Sequence, residues 1–258
     1  MTSGMTSGVT TRIASARPEG VTIRGLDLVD DIIGKLGFTE MTYFLCAGVL
    51  PTPPQTRVLD ACLVTLMEHG WTPSSIIARV MADSVPGDSQ IAIAAGLLSL
   101  GPIYAGTSEA CATLLRAAVA APDPDLFCAE TIRELRSRRA PVPGFGHPLH
   151  KPDDPRTARL LAIARETGVA GRHVEMLERL GRSVDLHFGR HITINATGAI
   201  AALLLEIGLE PGVMRGLAVV SRASGLIGHI VEEHRTHAAR AIWSFAEHEI
   251  PYEAGDPA

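Results

Sequence analysis

Aromatic side chains are scarce in this chain, at 4% of 258 residues, although hydrophobic residues make up 46%. The core must therefore be built from Ala, Leu, Ile and Val, and the residues that favour strands are largely missing, which points to an all-helical protein. Cysteine is equally sparse. Cys46, Cys62, Cys111 and Cys128 form no C-x-x-C pair and join no His/Cys cluster with zinc spacing, so a reduced, cytoplasmic protein is expected. No apolar run reaches the ~20 residues that a membrane span needs. The opening MTSGMTSGVTTR is polar, lacks the apolar centre of a secretion signal, and reads as a loose tail. Positive charge is not in excess: the net charge of −5 excludes a broad nucleic-acid surface, but not a small basic pocket.

What is present is helical periodicity. The segments DLVDDIIGKL and TEMTYFLCAGVL read as two short helices within 26–50. Pro51-Thr52-Pro53-Pro54 starts another, with Val58, Cys62, Leu66 and His69 on one face and Gly70 as its stop. Thr72-Pro73 reads as an N-cap followed by a first-turn proline. Residues 88–100 are apolar all round, as in a helix buried in a core or at a subunit interface. Further helices are expected at about 107–121, 125–138, 155–167, 171–187, 196–208, 212–234 and 236–248. No strand or repeat is evident. Short loops leave no free linker, so a second domain would be an insertion.

The chemistry concentrates at Pro143-Gly144-Phe145-Gly146-His147, followed by Lys151 and Asp154-Pro155-Arg156. A proline and two glycines make a tight turn that lets backbone approach a ligand. Histidine suits polarising a carbonyl, and the arginine fork suits a carboxylate. The pairs His187/His191 and His234/His237 have helical spacing, but no carboxylate pattern supports them, and no metal site is read from them.

These segments resemble the citrate synthase family. PGFGHPLHKPDDPR (143–156) is similar to its P-G-Y/F-G-H…D-P-R segment, and Arg24-Gly25-Leu26-Asp27 to its R-G-Y/F segment. HGWTPSSIIAR (69–79), GPIYAGTSEA (101–110), NATGAIAALLLEIG (195–208) and SRASGLIGHIVEE (221–233) follow the family's order. The resemblance implies an all-α, citrate synthase-type fold. A smaller helical domain, residues 107–205, would be inserted into a larger one formed by 1–106 and 206–258, with the active site in the cleft. It implies that His147 hydrogen-bonds the oxo or hydroxyl oxygen of the acid. Arg156 and Arg222 would bind its carboxylates, His69 would be a second substrate-binding histidine, and Lys151, Gly144 and Gly146 would receive coenzyme A. A CoA thioester is then a substrate, with no metal or prosthetic group. A homodimer or larger homo-oligomer is implied, with 88–100 and 212–230 as candidate interface helices.

Two positions depart from the family. Tyr104 stands where the synthases have histidine, and citrate-cleaving lyases also carry an aromatic there. Thr197 stands where the family has its catalytic aspartate, and a threonine hydroxyl is no general base near neutral pH. The reading is a citryl-CoA lyase-like enzyme with His147, Tyr104 and Thr197 as catalytic candidates. A condensing enzyme with another acyl-CoA or oxo acid remains open, as does a catalytically silent binder of CoA thioesters or dicarboxylates.

Overall fold

The computed structural model describes residues 10–101 and 107–253. Its helices are α1 (Phe38–Ala47), α2 (Pro53–Met67), α3 (Pro73–Ser84), α4 (Ser89–Leu98), α5 (Thr107–Ala120) and α6 (Pro124–Ser137). They continue as α7 (Pro155–Glu166), α8 (Arg172–Phe188), α9 (Ala196–Glu206), α10 (Pro211–Thr236) and α11 (Ala238–Glu249). One device starts several of them. Thr52, Thr72, Asp123 and Asp154 each accept a backbone N–H of the first turn, and a proline stands at its start. The proline lacks only an N–H that a first turn leaves unpaired anyway.

The expectation of no strand is corrected. Ala14–Arg17, Gly20–Ile23 and Leu26–Asp27 form a small antiparallel sheet in chain order, with Ala14 opposite Ile23 and Thr22 opposite Asp27. Arg24 and Gly25 turn between its last two strands at φ 46° and 91°. The helix expected from residue 26 shrinks to a π-turn, Leu28–Ile32, capped by Asp27 and closed by Ile33 N–H on Leu28 O, with Gly34 following at φ 76°.

The core centres on α9. Its residues Ala196 and Gly198–Leu205 are all buried, and it packs against α2, α5, α7, α8 and α10. Alanine-rich faces let these helices approach closely, which answers the shortage of aromatics. The apolar helix α4 behaves differently. Within this chain only Ala92 and Gly96 of it are buried, and Leu98 is 87% exposed. Ala92 joins Ala82 of α3 and Ile230 of α10 in a small second cluster, outside the main core around α9. Helix α10 is the long spine, packing against α2, α3, α4 and α5.

Candidate active site

The loop between α6 and α7 is stitched to the segment that enters α9. Gly146 N–H donates to Thr193 O at 2.7 Å, and Asn195 N–H donates to Gly144 O at 3.1 Å. Both glycines have positive φ, 85° at Gly144 and 81° at Gly146. Their uses differ. A Cβ on Gly144 would lie 2.6 Å from Cys111 Sγ and 2.9 Å from Gly198 Cα, so its smallness serves packing between the loop, α5 and α9. A Cβ on Gly146 would meet nothing within 4 Å, so that backbone is open to a ligand.

His147 follows at once. Its Nδ1 accepts the N–H groups of Leu149 at 3.1 Å and His150 at 3.0 Å. A neutral imidazole with Nδ1 so occupied carries its proton on Nε2. Burial, the neighbouring His150 and the Arg156 charge hold its pKa below the usual histidine value. The ring is therefore neutral at pH 7, with an Nε2–H to offer and no free lone pair. Arg156 Nη2 lies 3.2 Å from that nitrogen.

Asp154 holds Arg156 in a bidentate grip, with Nε–Oδ1 at 3.0 Å and Nη2–Oδ2 at 2.8 Å. The same fully buried carboxylate accepts N–H from Arg156 at 3.0 Å and from Ala196 at 3.1 Å. Burial alone would raise its pKa, but these contacts hold it below the carboxylate range. One anion thus aims the arginine and caps two helices.

His69 is not on a helical face as expected. Helix α2 ends at Met67, and His69 sits in the α2–α3 loop with its ring 6.0 Å from that of His147. Burial of the ring and the charge of Arg156 are the main causes of its lowered pKa. Arg222 comes from α10, and its Nη1 is buried without a hydrogen-bond partner among the described residues. Thr197, in the first turn of α9, donates to Asn195 Oδ1 at 2.7 Å and accepts from Thr107 at 3.2 Å. Asn195 also caps α9 through Gly198 N–H at 3.0 Å and grips Gly146 O through Nδ2 at 2.9 Å.

These side chains surround one cavity of about 400 Å³, lined by His69, His147, Arg156, Asn195, Thr197 and Arg222. A second cavity of about 520 Å³ shares Thr107 and Asn195 with it and runs along Gly144 and Phe145 towards Arg215. Of the expected site residues, Lys151 is exposed and lines neither cavity. Tyr104 lies outside the described residues. Sequence reading missed His150, Thr107, Asn195 and Asp154 as parts of the site. His150 stacks on His147 with ring centres 4.4 Å apart; its spacing from His147 was the available signal.

His69, His147 and His150 bring ring nitrogens within 4.8 Å of one another, close enough to share a metal ion. The donor set does not fit one. A ligating imidazole turns its other nitrogen, as N–H, to an acceptor, whereas Nδ1 of His147 faces two N–H donors and Nε2 faces a guanidinium. The arrangement instead suits anions. A buried guanidinium nitrogen without a partner, a second guanidinium and a neutral N–H donor converge on one space.

Comparison with known proteins places this geometry. Residues 51–243 match the model of the citrate synthase C-terminal domain. The structure of citryl-CoA lyase from Hydrogenobacter thermophilus superposes with a TM-score of 0.86 at 29% identity, over 97% of this chain and 96% of that one. The ATP-citrate synthase beta chain protein 1 of Arabidopsis thaliana is 25% identical over 223 residues, 80% of this chain and 34% of its own length. The 2-methylcitrate synthase 2 of Corynebacterium glutamicum is 28% identical over 226 residues, 83% of this chain and 56% of its own length. This chain therefore spans between about a third and about half of those two curated relatives. With an all-helical fold of a large and a smaller lobe, shared with these structures, the chain belongs to the citrate synthase family.

Proposed function

We propose that the protein cleaves a 3-hydroxy acid CoA thioester of the citryl-CoA type to acetyl-CoA and an oxo acid such as oxaloacetate, or runs the reverse condensation. The observation that carries this reading is the buried Nη1 of Arg222, which has no partner among the described residues, beside a cavity also lined by His147 and Arg156. Such a donor needs an anion, and an acid with several carboxylates supplies it. Arg156, Arg222 and His69 hold the carboxylates. In cleavage the C2–C3 bond breaks, its electron pair passes to the thioester as an enolate, and the net change moves one proton from the C3 hydroxyl to C2. His147 stabilises the C3 oxygen by donating Nε2–H, as a preorganised dipole does. Thr197 has its own proton committed to Asn195, so its oxygen receives a hydrogen bond from the substrate hydroxyl and positions it. Tyr104 contacts the thioester oxygen. The pantetheine arm passes over Gly146 into the second cavity, beside Gly144, and Lys151 meets the CoA phosphates. No metal or prosthetic group takes part.

The cleft divides residues 1–106 and 206–258 from 107–205 in this reading, and closure of the lobes excludes water. The protein acts as a homodimer or larger, through the exposed apolar side chains Ile91 and Leu98 of α4 and Val220, Ile227 and Val231 of α10. Its partners are small molecules rather than nucleic acid. No described helix is long and apolar enough to cross a membrane, and the four free thiols suit the cytoplasm.

Thr197 favours a second reading. With no carboxylate at that position, the site would bind CoA thioesters or dicarboxylates without turning them over, or would accept a different acyl group or oxo acid. The test is incubation with citryl-CoA, with oxaloacetate release followed through malate dehydrogenase and His147→Ala alongside. Release that disappears in the variant supports cleavage. Saturable binding without release sinks it in favour of the second reading.

A further inference from the structure

His69 reaches the cavity from a loop, and a loop holds a ring in place only if its backbone is anchored. The anchor is the residue before it. Glu68 Oε1 accepts the N–H groups of His69 at 2.7 Å and Gly70 at 2.5 Å. Glu68 Oε2 lies 3.0 Å from His229 Nε2, a close contact bent away from ideal hydrogen-bond alignment. His229 Nδ1 accepts from Arg79 Nε at 2.9 Å, which leaves the ring proton on Nε2, facing Glu68. Arg79 is 2% exposed, donates to Glu233 at 3.0 Å, and also pairs with Glu232. Glu233 is fully buried and accepts Ala239 N–H at 2.8 Å, at the start of α11. Trp71 of the same loop covers the Arg79 guanidinium, 4.7 Å from its ring centre. A continuous polar chain therefore runs from α11 through α10 and α3 to the backbone of His69.

Stability alone is a poor reason for such a chain. Buried ion pairs recover little more than their desolvation cost, and apolar side chains of equal volume do as well. The backbone has also been shaped to permit it. A Cβ on Gly225 would lie 2.1 Å from Met67 O and 3.1 Å from Glu68 Oε2, so only glycine lets α10 come this close to the end of α2. The same helix carries Arg222, two turns before His229.

We infer that Glu68, His229 and Arg79 are positioning residues that hold the His69 imidazole at the carboxylate end of the cavity, in register with Arg222. The inference rests on the proposed function for the identity of the ligand, but not for the placement of His69. It is tested with Glu68→Gln, His229→Leu and the conservative His229→Gln, which keeps one acceptor and one donor. Oxaloacetate affinity is measured by calorimetry and the His69 ring titration by NMR, with circular dichroism to confirm folding. In Glu68→Gln and His229→Leu the loop relaxes, affinity falls about tenfold or more, and the ring moves from Arg156 and Arg222 into water. Its titration midpoint then rises towards the ordinary histidine value, while His229→Gln stays near the parent. If His229→Leu does not fold, Glu68→Gln, with a half-exposed side chain, decides alone. A folded Glu68→Gln protein whose His69 titration and oxaloacetate affinity match the parent overturns the inference. If the parent binds no oxaloacetate, the proposed function fails, and the His69 titration still decides the placement.

Discussion

Replacing Gly225 by alanine separates two forces that usually act together. Helix propensity favours alanine over glycine in a helix interior by about 1 kcal/mol. Against that stands the backbone carbonyl of Met67, 2.1 Å from where the new methyl would be. Neither partner is a flexible side chain, so α10 and the end of α2 must separate by roughly an ångström. Overpacking of this kind costs about 1–3 kcal/mol, and a backbone-to-backbone clash belongs at the top of that range. The net loss is then about 2 kcal/mol, which for a chain of this size lowers the melting temperature by about 4–8 °C. Gly216 provides the internal control. It lies on the same helix, and a Cβ there meets nothing within 4 Å. Gly216→Ala keeps the propensity gain alone and raises the melting temperature by about 2–4 °C. Differential scanning calorimetry of both variants reads the sign directly. If both melt higher by similar amounts, the close approach of α10 to Met67 is wrong, and the anchoring of His69 through Glu68 goes with it.

Arg222→Leu removes a buried cation with a nitrogen that is unpartnered among the described residues. Stability should hold or improve, while oxaloacetate affinity falls by about 2–3 kcal/mol, roughly 30- to 160-fold; unchanged binding in calorimetry would remove the arginine from the carboxylate site. His191 lies between Asp185 at 2.7 Å and Asp153 at 3.0 Å, and these two hydrogen bonds raise its pKa. A raised folded-state value contributes stability that is complete below the ordinary histidine pKa and lost as pH rises through the raised value. Melting temperatures across that window should therefore fall with rising pH more steeply in the parent than in His191→Ala, and parallel curves would refute it. Burial pushes the thiols of Cys62 and Cys111 up to about 12, whereas Cys46 is exposed. Iodoacetamide at pH 8 should label Cys46 first in the folded protein, as peptide mass mapping would show, and early labelling at Cys111 would contradict its packing against Gly144.

Helix boundaries were legible wherever local chemistry sets them. Thr52-Pro53, Thr72-Pro73 and Asp154-Pro155 start helices in the structure as their sequences require. The N-terminal sheet was not legible, because strands of two to four residues are too short to show alternation and the first is wholly exposed. Apolarity alone left α4 open between core and subunit interface, since a helix that faces outward in one chain has the same composition as one at the core. His147 and Arg156 were readable because one short segment, the loop and the first turn of α7, carries both. That His69 and Arg222 join them came only from the family's order of segments, because no local pattern ties a residue in the α2–α3 loop to one on α10. The roles of Asn195, Thr107 and Glu68 depend on contacts between distant segments, which a one-dimensional pattern does not contain.

Asn195 carries a consequence for how this site changes over generations. Its side chain caps α9, holds the carbonyl of Gly146 and accepts a hydrogen bond from the Thr197 hydroxyl. The start of α9 and the loop are thus held by position 195, and position 197 hangs on that scaffold through its hydroxyl bonds to Asn195 and Thr107. Exchange at 197 would leave the cap of α9 and the grip on the Gly146 carbonyl in place, so the architecture and the proposed reaction are separable.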